Sequence, residues 1–185
     1  MGINEGILMK KVLLGVSLLT ALFSTASIAA DVSENDYAGL RIGAGYSNTE
    51  IELGSANASE EGYKVELGYD INRMFGLNVS YETMTGELGN VSGDNDGASI
   101  KAGVDFGYAF YSKEAFLKPY VVLGGVSYSQ DDYDESSIYG GLGVRFEYHH
   151  FYSDLGLSAY YLDAGDVSSN DYKFSHTAIT FGYKF

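Results

Sequence analysis

Apolar and polar side chains alternate along most of this chain, and the alternation comes in eight blocks. Period two marks an extended strand with one apolar face. A first strand sets Ala38, Leu40, Ile42, Ala44 and Tyr46 against Gly39, Arg41, Gly43 and Gly45. A second sets Tyr63, Val65, Leu67 and Tyr69 against Lys64, Glu66 and Gly68, and a third sets Phe75, Leu77, Val79 and Tyr81 against Gly76, Asn78, Ser80 and Glu82. The fourth places Ile100, Ala102, Val104, Phe106 and Tyr108 opposite Lys101, Gly103, Asp105 and Gly107. Residues 118–128 read as a fifth strand whose faces stay unassigned. Val121 and Leu123 compete there with Val122 and Val126, and Gly124-Gly125 are placed to bulge and shift the register. The sixth has Leu142, Val144, Phe146 and Tyr148 against Gly141, Gly143, Arg145 and Glu147. The seventh has Phe151, Leu155, Leu157, Ala159 and Tyr161 against Tyr152, Asp154, Gly156 and Ser158. The eighth sets Ile179, Phe181, Tyr183 and Phe185 against Thr180, Gly182 and Lys184.

Short connections (70–74, 111–116 and His149-His150) alternate with long polar ones (47–61, 85–97, 129–137 and 163–172). That rhythm predicts an all-β, eight-stranded antiparallel up-and-down barrel. Side-chain volume decides which face looks inward. Eight strands leave a bore that side chains just fill. The polar face carries the glycines and the apolar face the bulky Tyr, Phe, Leu, Ile and Val, so the apolar face points to lipid. Tyr46, Tyr63, Tyr81 and Tyr161 then form one aromatic girdle, and Tyr69, Phe75, Tyr108, Tyr148, Phe151, Tyr183 and Phe185 the other. Both termini are expected on the periplasmic side and the long loops outside.

At the amino end, Lys10-Lys11 precede an apolar run at 12–23, and small residues fill 24–30. This is the layout of a cleavable signal peptide. The apolar run is shorter than the ~20 residues of a spanning helix. The cut is placed after Ala29, with Ala30 as the alternative, and Met9 is the more natural start than Met1, making 1–8 a misassigned extension. Residues 30–185 are then the barrel domain, and the absence of cysteine means no disulfides within it.

Ile179, Phe181, Tyr183 and Phe185 resemble the C-terminal signal of Gram-negative outer-membrane barrels, in which a terminal Phe preceded by alternating apolar residues is read by the barrel-assembly machinery. With the eight-strand pattern and the signal peptide, the mature chain resembles the small outer-membrane barrels of the OmpA-like and OmpX-like family. The likeness extends to the transmembrane part alone. It implies a closed, water-poor interior in a monomer lodged among outer-membrane lipid and lipopolysaccharide.

Candidate chemistry lies in two places. The inward face collects Arg41, Lys64, Lys101, Arg145 and Lys184 against Glu66, Glu82, Asp105, Glu147 and Asp154. Unpaired charge in a narrow bore is costly, so five of each sign form either a satisfied plug or a gated ion path. The long connections hold Glu50, Glu52, Glu60, Glu61, Glu87, Asp94, Asp96, Asp131, Asp132, Asp134, Glu135, Asp163, Asp166 and Asp171, which accounts for most of the formal net charge of −14. Arg73, Lys113 and Lys118 fall to the short turns. An acidic rim serves cation-bridged lipopolysaccharide contact, capture of a basic host or phage surface protein, or solubility alone. Asp94-Asn95-Asp96-Gly97 has only a fragment of a calcium-loop spacing. His149 and His150 sit in a turn, and Ser175-His176 are neighbours that a strand points opposite ways. No catalytic set, metal cluster, cofactor site or nucleic-acid patch is expected. The role is surface interaction, adhesion and envelope integrity, with a lipid A-modifying enzyme and a narrow solute channel as the alternatives.

Overall fold

A computed structural model of the protein describes residues 37–53, 56–86, 95–112, 115–130, 133–162 and 172–185. The expected signal peptide at 1–29 lies outside them. The strands are β1 (Gly39–Leu53), β2 (Ala56–Asp70), β3 (Phe75–Gly86), β4 (Asn95–Gly107), β5 (Phe110–Ser112), β6 (Ala115–Gln130), β7 (Tyr133–Tyr148), β8 (Phe151–Leu162) and β9 (Tyr172–Lys184). Each pairs antiparallel with its neighbour, β1 pairs with β9, and β4 pairs with β6, so the ladder closes on itself. The ring has eight arms. β5 is the lower end of the β4 arm, because the β4–β6 register (Gly107↔Tyr120) continues unchanged into β5–β6 (Phe110↔Leu117). Pro119 explains the break between them: it has no N–H to return to the strand whose Tyr108 N–H reaches its carbonyl at 3.4 Å.

Following cross-strand pairs once round the ring leads from Gly39 through Asp70, Gly76, Asp105, Val122, Gly141, Ser158 and His176 back to β1 at Thr49. The register thus advances ten residues per circuit. With a rise of about 3.3 Å per residue and about 4.8 Å between strands, the strands tilt by about 40° and the backbone lies about 8 Å from the axis.

The wall is inside-out relative to a water-soluble domain. Among the described residues thirty large apolar side chains are exposed, from Ile42 and Val65 through Leu142 and Phe146 to Phe181 and Phe185, against eleven buried hydrophobics. An apolar belt of that extent needs acyl chains around it. The girdle aromatics of both levels point outward. Tyr63 is 76 % exposed and Phe185 69 %, and Tyr46 stands directly across from Tyr63.

The structure corrects three expectations. β6 has a defined register: Lys118, Tyr120, Val122, Val126 and Tyr128 face in, whereas Leu117, Val121 and Leu123 face out. Gly124-Gly125 form no bulge, because Ala115↔Tyr148 and Gln130↔Tyr133 keep a single β6–β7 register throughout. The connections expected at 47–61 and 129–137 are mostly strand, since β1 runs to Leu53, β2 starts at Ala56, β6 runs to Gln130 and β7 starts at Tyr133. Backbone pairing continues beyond the bilayer without apolar side chains on the outer face, so the alternation that reveals a strand fades where the strand does not.

Short turns close the opposite end. Asn72 Oδ1 accepts from the N–H groups of Met74 (2.8 Å) and Phe75 (2.9 Å), capping the β2–β3 turn. His149 takes φ 52° in the two-residue β7–β8 turn, the left-handed conformation a tight hairpin demands. β9 finishes there too, held on its β8 side by Lys184 N–H on His150 O at 2.7 Å and on its β1 side by Phe185 N–H on Leu40 O at 2.9 Å.

Candidate functional site

Inward glycines and inward tyrosines interlock. A Cβ built at Gly43 or Gly182 would strike the Tyr152 ring system, one at Gly103 or Gly124 would strike Tyr139, and one at Gly143 would strike Tyr120. The volume that glycine vacates on one strand is occupied by a ring from another. Bulk on the inner face was not foreseen beyond Tyr152. The bore also holds Tyr120, Tyr128, Tyr139, Tyr160, Phe174, Met84 and Leu162.

At the short-turn end these rings stand among buried charges centred on Asp70. Arg41 Nε donates to Asp70 Oδ2 at 2.9 Å, Arg145 Nη1 to Oδ1 at 3.2 Å, and Lys184 Nζ lies 3.0 Å from Oδ2. Lys118 Nζ donates to Asp105 Oδ1 and lies 3.8 Å from Asp70. Arg145 Nε donates to Asp154 Oδ2 at 2.9 Å, and Tyr120 OH donates to Asp154 Oδ1 at 2.6 Å. Lys184 also pairs with Glu147 at 2.8 Å. Arg41 reaches Glu66 at 3.3 Å, and Lys64 meets the same carboxylate at 2.8 Å. Tyr37 seals this end, fully buried, with Lys184 Nζ 3.6 Å from its ring centre and Phe116 packed edge-on at 5.0 Å.

Further along the bore, Lys101 Nζ donates to Glu82 Oε2 at 2.7 Å. His176 Nε2 lies 2.7 Å from that same oxygen, and His176 Nδ1 meets Thr49 Oγ1 at 2.8 Å. Between the two groups lies a polar cavity of about 50 Å³ bounded by Lys64, Asn78, Ser80, Glu82, Tyr139 and His176, large enough for one or two waters. Met84, Val126, Tyr128, Tyr139, Tyr160, Leu162 and Phe174 pack into an apolar stopper at the long-hairpin end, with Tyr160 stacked on Phe174 at 4.9 Å.

All ten residues of the expected charge network face the bore, and Arg41, Lys64, Glu66, Glu82, Lys101, Asp105, Arg145, Glu147, Asp154 and Lys184 each have an oppositely charged partner within 4 Å. Two members were missed. Asp70 was assigned to a turn, yet it is the last β2 residue and wholly buried. Lys118 was assigned to the short turns because the fifth strand had no faces; it too is wholly buried. The balance survives, six cations to six acids. Even parity with Glu66 was the signal for Asp70, and even parity with Tyr120 would have served for Lys118.

The acids expected at the rim divide. Glu50, Glu61 and Asp134 are exposed on strand continuations, Glu52 pairs with Lys173 at 3.1 Å, and Glu135 and Asp96 also lie on strands. Glu60 does not belong with them: it faces the bore, 3 % exposed, and its Oε2 has no hydrogen-bond partner. Lying three residues beyond Tyr63, its carboxyl is pushed above the ordinary value by burial alone. Glu87, Asp94, Asp131, Asp132, Asp163, Asp166 and Asp171 fall outside the described residues.

No group of three or more His, Cys, Asp or Glu placed to hold a metal occurs among the described residues. Ser175 and His176 point to opposite sides of β9. Thr49, His176 and Glu82 do line up as hydroxyl, imidazole and carboxylate, but they are 1 %, 4 % and 1 % exposed.

The architecture has known relatives. The structure superposes on Neisserial surface protein A with TM-score 0.57 at 20 % identity, covering 80 % of this chain and 97 % of that one. It superposes on the outer membrane enzyme PagL with TM-score 0.54 at 12 % identity, covering 77 % and 97 %. Ail, the attachment invasion locus protein of Yersinia pestis, matches with TM-score 0.49 at 20 % identity, covering 80 % and 99 %. At these identities the likeness is one of fold. No curated protein sequence matches the chain. The family model for the outer membrane protein beta-barrel domain matches residues 16–185. The chain therefore belongs to the outer membrane protein beta-barrel domain family, and its apolar belt sits in an outer membrane.

Proposed function

We propose that the protein is a closed surface-display barrel, which contributes to envelope integrity and offers its long hairpins to a partner outside the cell. The chief support is that the ladder continues past the Tyr46–Tyr63 level for seven further residues of β1, with Glu50, Glu52, Glu61 and Asp134 on its outer side, while the bore beneath is filled. In this arrangement the short-turn end faces the periplasm and the hairpins face outward. The outward carboxylates suit a basic protein of host or phage, or lipopolysaccharide bridged by divalent cations. A monomer suffices, since ring closure leaves no strand edge within the apolar belt. Ile179, Phe181, Tyr183 and Phe185 line the outer side of β9, where the barrel-assembly machinery would read them.

The test is adhesion of cells expressing the barrel, intact or with the β1–β2 and β6–β7 extensions shortened. Adhesion that falls with shortening, while heat-modifiable mobility on gels stays normal, supports display. Equal adhesion removes it. The enzyme alternative has one favourable observation, the Thr49–His176–Glu82 alignment, and its burial counts against it. Mass spectrometry of lipid A from an overexpressing strain decides, with an unmodified pattern expected.

A further inference from the structure

Among the described residues, Glu60 is the one buried acid left over once six bore cations have been matched with six carboxylates. Its cross-strand partner in the β1–β2 ladder is Thr49. Inward-facing neighbours so paired have Cβ atoms about 5 Å apart, so a hydroxyl and a carboxylate can meet. Thr49 in turn meets His176 Nδ1, and His176 Nε2 meets Glu82.

Proton counting along this chain is restrictive. Glu82 carries a full charge shared with Lys101, and His176 Nε2 stands 2.7 Å from that carboxylate though out of line for a well-formed hydrogen bond, so the hydrogen of a neutral His176 belongs on Nε2. Nδ1 is then an acceptor and takes the single hydrogen of Thr49. Nothing remains for Glu60, and its Oε2 is indeed without a partner. One added proton completes the series. Placed on Glu60, it makes Glu60 donate to Thr49, Thr49 to His176 and His176 to Glu82. Placed on His176, it makes Nδ1 donate to Thr49 and Thr49 donate to Glu60. These are two tautomers of one chain with every donor used.

We propose that Glu60, Thr49 and His176 form a one-proton site at the hairpin end of the bore, and that mild acid fastens the β1–β2 hairpin to β9 through it. The groups facing this site favour the added proton on Glu60 over one on His176, whose charging burial, Lys101 and Lys64 oppose. Lys64 on β2 is held by Glu66, Lys101 on β4 by Glu82 of β3, and β6, β7 and β8 contribute Tyr128, Tyr139 and Tyr160. No other cation faces Glu60 among the described residues. Burial raises the Glu60 carboxyl and lowers the His176 imidazole, so the added proton rests on Glu60; that carboxyl makes stability grow as pH falls through its folded range, while His176, which the unfolded chain protonates more readily, opposes the gain.

The experiment is backbone hydrogen exchange of the full barrel in lipid nanodiscs at pH 7.5 and 5.5, corrected for the intrinsic rate. In the wild type, amides at 47–52, 58–62 and 174–178 should open about tenfold less often at the lower pH. Thr49→Val keeps the shape but severs the chain, and should abolish that difference. Glu60→Gln supplies an amide that satisfies Thr49 at any pH, and should fix the slow exchange at both values. A wild type with no pH effect, or a Thr49→Val barrel with the wild-type effect, overturns the proposal. Melting of each variant in the same discs separates a lost response from a lost fold.

Discussion

Two residue types set the interior, and each can be broken singly. Gly143 faces the Tyr120 ring and the Leu155 carbonyl with no room for a side chain. Gly143→Val should cost about 1–3 kcal/mol by overpacking, measured as the urea midpoint in detergent, and Tyr120→Ala in the same chain should recover part of it. Asp70 is the other lever, since Arg41, Lys118, Arg145 and Lys184 all gather on its carboxylate. Asp70→Asn leaves four cations crowded in the bore and should lower stability by about 3–5 kcal/mol, whereas a change at exposed Glu50 should lower it by less than about 0.5. At this scale parity alone disclosed the ten charges of the expected network, because a strand admits only two directions. It did not disclose Asp70 and Lys118, which sit where a turn and an ambiguous strand hid the count. Nor did it disclose Glu60, whose surroundings of Ser, Asn and Glu look like loop on either face.

For whole strands, the alternation was legible wherever one side meets lipid. It failed where the outer side meets water instead of acyl chains. The β1–β2 ladder continues through Ile51↔Ala58 to Leu53↔Ala56, and β6–β7 through Gln130↔Tyr133, with polar residues such as Asn48, Glu50, Ser127 and Asp134 now on the outer face. These extensions hold their backbone bonds in water, so their amides should exchange far more slowly than loop amides and more quickly than those of the belt. Protection at 48–52 equal to that of a free peptide would contradict the ladder. β6 shows the converse difficulty: Val and Gly on both faces erase the pattern, and only its two neighbours fix the register. The short β5 is a proline effect, which the sequence shows as Pro119 but cannot place without the partner strand.

The barrel of residues 37–185 is a cylinder stopped twice, by charge with Tyr37 at one end and by rings at the other. Planar-bilayer recordings should therefore show no sustained large openings, and such openings at neutral pH would contradict the packing described here. Its belt and closure were readable from period, glycine placement and the terminal aromatics. The identity of any partner was not, since the acids that would meet it lie on segments without a repeating pattern.

The interlocked rings and glycines have a bearing on how the cylinder is made. Tyr152 of β8 settles against Gly43 of β1, and its hydroxyl donates to Glu66 of β2 at 3.0 Å. Tyr139 of β7 likewise donates to Asn78 of β3 at 3.2 Å. Such bonds join residues 86 and 61 positions apart, so a partly assembled curl has rings with no seat and seats with no rings. The interior can lock only when the first and last arms have met, which makes assembly a late, concerted and slow event.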